Sequence, residues 1–251
     1  MQERHLNSQI EKAHYKFFFE PVYKTARAEE YVLLDILFEK PQYQQLISRH
    51  VDSAFVFQNG KPLQVQVPGF DDILGDKLTA FAPNTTGVPY EKGGQSRTME
   101  IIKQLYDIGN LVVQMQNPAI TATTFHAFAK TELGYRNMEG DTSLVLDDIF
   151  DTALTISSKG QLGSGNMDAL MQGIRQLKQY IFSENYHIEK AVTHAARAAY
   201  TTALIRTGEK AIHRFTDPME IKDWNITSQQ YNKLNKLRKS NRKHFTIGTG
   251  H

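Results

Sequence analysis

Three residues of this chain set a charge among neighbours that make charge costly or useful. Asp35 is a lone carboxylate inside the apolar run EYVLLDILFE. A carboxylate removed from water is expensive unless it has a partner, a metal ion or a place at the rim of a sheet. Strand alternation equally allows Asp35 to face solvent between Leu34 and Ile36. Lys77 stands in ILGDKLTAF, with apolar residues three and four positions away on either side. Its stem can run along a packed face and present the ammonium to a phosphate as a point charge. The alternative is an exposed lysine paired with a nearby acid; Asp76, next to it, points to a different side of a helix. Asp107, in KQLYDIGNL, lies four residues after Lys103, which makes an i,i+4 ion pair its simplest role. It also borders the apolar stripe of its helix, which favours partial burial.

Other polar groups are weaker candidates. Arg97 precedes a helix and could reach a phosphate or cap nothing. GSGN at 163–166 could bind an anion through helix-start N–H groups. With no strand before it and no Lys-Ser/Thr after it, a plain helix-start loop is the better reading. Asp147, Asp148 and Asp151 lie on one expected helix and read as a solvated face. His187 and His194 are seven residues apart with no third ligand in view, so a catalytic zinc site is not expected.

The elements that must position these residues follow from periodicity. YKFFFEPVY, YVLLDILFE and LQVQV carry strand signals, and Pro21 interrupts the first. The unbroken apolar run of the second predicts a strand covered on both faces. SAFVFQNGKPLQVQV predicts a hairpin turning at Asn59-Gly60. FDDILGDKLTAF has Ile73, Leu74, Leu78 and Phe81 at helical spacing, with Asp71 or Asp72 as its expected N-cap. APNTTGVPYEKGGQS reads as a long loop. TMEIIKQLYDIGNLVVQM places Ile101, Leu105, Ile108 and Val112 on one stripe. Helices are expected near 120–133, 143–157, 166–183 and 187–207. Gly134, Gly140, Gly160, Gly163, Gly165 and Gly208 are the expected left-handed caps at their ends.

Composition sets outer limits. The chain has 251 residues, 40% hydrophobic and 22% charged, which suits one large or two small globular domains. The absence of cysteine excludes disulfides and thiolate metal sites and fits a reducing cytoplasm. No apolar run reaches the roughly 18 residues of a membrane span, and the first residues have no secretory pattern. Net charge is only +2, but no acidic residue follows Trp224, while Lys233, Lys236, Arg238, Lys239, Arg242 and Lys243 do. Such a segment is either a solvated tail or a phosphate-attracting arm.

Taken in order, DDILGDKLTAFAPNTTGVPY, a glycine-rich gap and EIIKQLYDIGNLV resemble the AbiEii nucleotidyltransferase toxins, of the DNA polymerase beta-like superfamily. The resemblance covers roughly residues 15–115. Its family pattern has a lysine in a DKL-A context and an aspartate in a K-LYD context, which match Lys77 and Asp107. EYVLLDILFE is similar to the family's third acidic strand, which makes Asp35 the matching carboxylate. Periodicity and composition give an α+β fold of a small mixed β-sheet (1–95), a helical bundle (96–223) and a basic C-terminal segment (224–251), and the resemblance makes the first a nucleotidyltransferase-like domain. It implies transfer of a nucleotide from an NTP to an acceptor, notably the end of a tRNA, with Mg²⁺. Asp35 would serve as a metal ligand, Lys77 would bind the triphosphate, and Asp107 would hold Lys77 or the metal-site residues in place. An antitoxin would restrain the enzyme in the cytoplasm. All three residues are then expected on one cleft between sheet and bundle.

The family's Gly-Ser or Gly-Gly-Thr turn, followed by two aspartates one residue apart, belongs before the Asp35 strand. Residues 1–34 contain neither glycine nor aspartate, so those positions carry over to no residue here. The expectation is an N-terminally shortened chain or a degenerate member; a remnant acting through protein or RNA binding, or an unrelated helical RNA-binding protein using its basic tail, are the alternatives. One carboxylate cannot hold two hard cations that each need several oxygens. The purified 251-residue chain is therefore expected to transfer little or no nucleotide with Mg²⁺ alone, and robust incorporation of labelled nucleotide would refute this.

Overall fold

A computed structural model describes residues 2–3, 12–23, 28–52, 57, 59–214, 217, 219–220 and 223–236. The chain divides into two compact units, residues 1–42 and 43–251. The fold class is α+β, as the periodicities require.

The first unit is a three-stranded antiparallel sheet of β1 (Gln2–Glu3), β2 (Lys12–Phe19) and β3 (Glu30–Leu37), in that order. The register runs from Lys12↔Leu37 to Phe19↔Glu30 and places His14 opposite Asp35. β2 stops before Pro21, which has no N–H to give a ladder. Within this unit β3 is not covered on both faces: Val32, Leu33, Leu34 and Leu37 are exposed. The unit carries no helix among its described residues, so the apolar composition of the strand is not matched by a cover of its own. Aromatic pairing supplies part of the cohesion, with Phe18 and Tyr31 rings 5.8 Å apart and the Lys16 ammonium 3.9 Å from the Tyr31 centroid.

The second unit begins with β4 (Leu46–His50) paired antiparallel to β5 (Gln64–Pro68). The strand in LQVQV is present and pairs with LISRH, a partner the sequence did not single out. Residues 53–56 and 58 of the expected hairpin lie outside the described residues. Alternation marks a strand without naming its partner, and the polar Ser48, Arg49 and His50 hide β4 in the sequence. Ile47 and Val67 pair across the ladder on its half-buried face.

Six helices follow: α1 (Phe70–Ala80), α2 (Thr98–Gln114), α3 (Pro118–Tyr135), α4 (Thr142–Ser157), α5 (Met167–Leu177) and α6 (Ile188–Thr207). Between α1 and α2 a small hairpin, β6 (Glu91–Lys92) and β7 (Gln95–Ser96), turns on Gly93 and Gly94, both with positive φ. The Gly-Gly pair is its signal within the expected loop. The α2 stripe of Ile101, Leu105, Ile108 and Val112 is fully buried with Leu74, Leu78 and Phe81 of the α1 region. Asn117, Asp141, Asn166 and His187 cap α3 to α6 with side-chain acceptors, and Gly208 closes α6 in a left-handed conformation. Gly134 and Gly165 do not take positive φ, whereas Asn137 and Lys159 do, at 52° and 55°. α5 ends earlier than expected, because Gln179 and Tyr180 bond three rather than four residues back and unwind it.

α1 and α3 cross very closely. A Cβ on Gly75 would lie 2.6 Å from the Thr121 carbonyl oxygen, so only glycine lets the two backbones meet. Gly109 plays the same part where α2 meets α6: a Cβ there would lie 2.2 Å from the His194 ring.

Candidate active site

Lys77 and Asp107 meet. Lys77 is seven residues into α1 and Asp107 lies mid-way along α2, and the packing of these helices brings Nζ to 3.3 Å from Oδ2. Lys77 also donates to the Gln104 side-chain oxygen at 3.2 Å. Lys103 approaches the same Asp107 oxygen at 3.5 Å, so the i,i+4 pair and the longer-range pair coexist. Lys77 and Asp107 are 32% and 28% exposed, which leaves the ammonium accessible. Sequence reasoning does not single out Gln104; its spacing of three from Asp107 on one helix face is the signal that could have found it.

The rest of α1 holds this lysine still. Asp71 and Asp72 do not cap the helix. Its N-cap is Gly69, which has no side chain for the purpose. Asp71 instead accepts from the Gln116 and Asn117 amides at 2.9 and 3.1 Å, just before α3. Asp72, fully buried, accepts from the Gln44 and Gln45 amides at 2.7 and 2.9 Å and from the Thr124 hydroxyl at 2.5 Å. A carboxylate has several lone pairs, and both residues use theirs on otherwise unsatisfied donors. Asp76 accepts from the Tyr43 hydroxyl at 3.0 Å. Burial, the larger effect, pushes the Asp76 carboxyl above its ordinary value, while the Tyr43 hydrogen bond and the Lys77 charge pull it down.

Asp35 belongs to the other unit. Its carboxylate is 63% exposed and lies 2.6 Å from His14 Nδ1, its cross-strand neighbour. Asp35 thus takes the solvent-facing alternative, with a histidine on β2 beside it. Among the described residues no three His, Asp or Glu side chains gather into a set that could hold a metal ion.

The weaker candidates resolve into structural roles. Asp148 is buried rather than solvated. It accepts from the Asn84 amide and side chain, both at 2.8 Å, and from the Thr85 hydroxyl at 2.9 Å, which pins the loop after α1. Asp147 pairs with Arg206. Asp151 accepts from the Ser164 amide at 2.9 Å and its hydroxyl at 2.7 Å, and Gly165 donates to Thr155 Oγ1 at 3.0 Å. The Ser164 and Gly165 amides of GSGN are thus occupied by the protein itself. Arg97 pairs with Glu100 at 2.9 Å. His187 caps α6, and His194 is buried with its ring 5.6 Å from both Tyr106 and Tyr186. Arg197 donates to the Gly109 carbonyl at 2.9 Å, and burial pulls its guanidinium below the usual arginine value.

No described helix is long and apolar enough to cross a membrane. Compared with known families, residues 2–177 match the model described as nucleotidyl transferase AbiEii toxin, type IV TA system. No curated protein and no solved structure matches the chain.

Proposed function

We propose, from the premise that the chain belongs to the AbiEii nucleotidyl transferase toxin family, that Lys77 is its triphosphate-binding residue and Asp107 the residue that positions it. Membership itself supplies nucleotidyl transfer as the activity class, an NTP as donor and an antitoxin as counterpart. The observation that carries the residue assignment is the accessible Lys77–Asp107 contact between α1 and α2.

A partly exposed ion pair is worth about 0.2–1 kcal/mol. A charge-assisted hydrogen bond to a phosphate oxygen is worth about 1.5–3 kcal/mol. A triphosphate therefore wins Lys77 from Asp107, which keeps Lys103 as a partner. In the reaction an acceptor hydroxyl attacks the α-phosphorus, the bond to the bridging oxygen breaks, pyrophosphate leaves, and the hydroxyl proton passes to solvent. Lys77 neutralises the negative charge that builds on the departing phosphates. The resemblance supplies the finer proposals: an RNA acceptor, the end of a tRNA; Mg²⁺ as the counter-ion of the triphosphate; and Asp35 as a metal-ligating carboxylate.

The test is induction from its own gene in a bacterial host. Growth arrest and label from an NTP on RNA would overturn the expectation of an inactive shortened chain, and Lys77→Ala is then expected to abolish both. Arrest and labelling that survive Lys77→Ala at equal protein level would overturn the assignment.

A further inference from the structure

The second unit holds a cavity of about 170 Å³ lined by Ser157, Ser158, Lys159 and Gln161, within the family match, and by Lys233, Leu234 and Lys236, which follow its end at residue 177. Small-molecule sites run to roughly 300–1,000 Å³, so this cavity suits a phosphate group and not a whole nucleotide. Its two walls are far apart in sequence. One is the C-terminal end of α4 and the turn after it. The other is the 3₁₀ turn Asn232–Leu234 and its continuation.

The second wall is fixed in place. The Tyr231 ring stands edge-on to Phe150 of α4 at 5.9 Å, and Asn235 exchanges two hydrogen bonds with the Ile226 backbone, at 2.9 and 3.0 Å. Lys233, in the 3₁₀ turn, and Lys236, two residues past its end, both line the cavity. Across from them Lys159 has a φ of 55°, a left-handed conformation that lysine rarely adopts. Its ammonium contacts Glu189 at 2.6 Å, the carboxylate with which a bound phosphate would compete. The Ser158 hydroxyl is committed to the Leu162 amide and to carbonyls of the turn. The buried Ser157 hydroxyl has no hydrogen-bond partner among the described residues, which is unusual for a buried polar atom. The chain that continues from Lys236 carries Arg238, Lys239, Arg242 and Lys243, which lie outside the described residues, and no acid.

We propose that this cavity is a phosphate subsite for the backbone of an RNA acceptor, with Lys159, Lys233 and Lys236 as its cations. The assignment rests on the reading of the acceptor as RNA and is separate from the Lys77 site. A phosphate-sized opening followed in the sequence by Arg238, Lys239, Arg242 and Lys243 and no acid fits a polyanion held at one of its phosphates.

The experiment measures binding of labelled RNA, a tRNA mixture and a single-stranded oligonucleotide, across a salt series. The variant is Lys159→Asn with Lys233→Gln and Lys236→Gln, asparagine being tolerant of the left-handed position. RNA affinity is expected to fall roughly tenfold or more, with a salt slope shallower by about 0.7 for each phosphate that is no longer neutralised. ATP binding is expected to stay unchanged. An equal drop in Lys92→Gln with Lys130→Gln and Lys178→Gln, all outside the cavity, would overturn the proposal in favour of general charge. So would an unaltered slope in the cavity variant, or failure of the parent to bind RNA. Displacement of RNA by low-millimolar inorganic phosphate would make free phosphate the ligand and overturn it too. Loss of ATP binding in Lys77→Ala with RNA binding intact is the expected companion result. Intact ATP binding there would sink the Lys77 reading alone.

Discussion

Substituting Lys77 with alanine is expected to weaken NTP binding by roughly ten- to a hundredfold, the effect of removing one charge-assisted hydrogen bond to phosphate of about 1.5–3 kcal/mol. The fold should survive. Lys77 is about one-third exposed, and its removal leaves Asp107 with Lys103 and Gln104 with solvent. Titration calorimetry on the parent, Lys77→Ala and Lys210→Ala decides it. Lys210 follows the Gly208 helix stop and matches no family motif, so its substitution should change nothing. Equal affinities in all three proteins would reduce Lys77 to a surface lysine. Asp107→Asn should give a smaller decrease, since it removes an anchor and leaves the ammonium.

The second large effect concerns Gly109. Alanine in place of a mid-helix glycine ordinarily stabilises by about 0.5–1 kcal/mol. Here the new Cβ would lie 2.2–2.6 Å from three atoms of His194, whose ring is flanked by Tyr106 and Tyr186. Forced overpacking costs about 1–3 kcal/mol and occasionally more, so the clash outweighs the helical gain. Gly109→Ala should lower the melting temperature by several degrees, at roughly 2–4 °C per kcal/mol for a chain of this size. In a His194→Ala background the same change should cost less, because the ring is gone and only the residue-194 Cβ, 2.6 Å away, is left to give way. A rise in melting temperature from Gly109→Ala alone would mean that α2 and α6 do not approach as closely as described.

Helices are the most legible part of the fold. The α2 stripe of Ile101, Leu105, Ile108 and Val112 reads directly at a period of 3.6 and is buried as read. Strand partners are not legible, since alternation in LQVQV says nothing about LISRH. Helix starts mislead in a specific way. An aspartate pair at the first turn of α1 looks like a cap, yet Asp71 and Asp72 reach amides 45 and 28 residues away in sequence. A side chain cannot announce which distant backbone is left without a partner. Asp148 shows the same limit, for it reads as part of an acidic face and is spent on Asn84 and Thr85. Of the candidate site, the pairing of Lys77 with Asp107 comes from an ordered motif match and not from periodicity, while Gln104 carries only its spacing of three from Asp107 as a signal and its contact with Lys77 emerges from the α1–α2 packing.

The anchoring of α1 bears on what Lys77 can read. The helix is tied at Asp71, Asp72 and Asp76 to segments before and after it, and Gly75 lets it lie against α3 without slack. Such a base does not swing toward a ligand, so binding orders only the lysine side chain, at an entropic cost of at most about 2 kcal/mol. A fixed ammonium on a preorganised platform senses phosphate oxygens, which ATP, CTP, GTP and UTP all present in the same way. With Lys77 as the proposed triphosphate residue, base preference would be decided by groups other than this one, and Lys77 would contribute the part of affinity that all four nucleotides share.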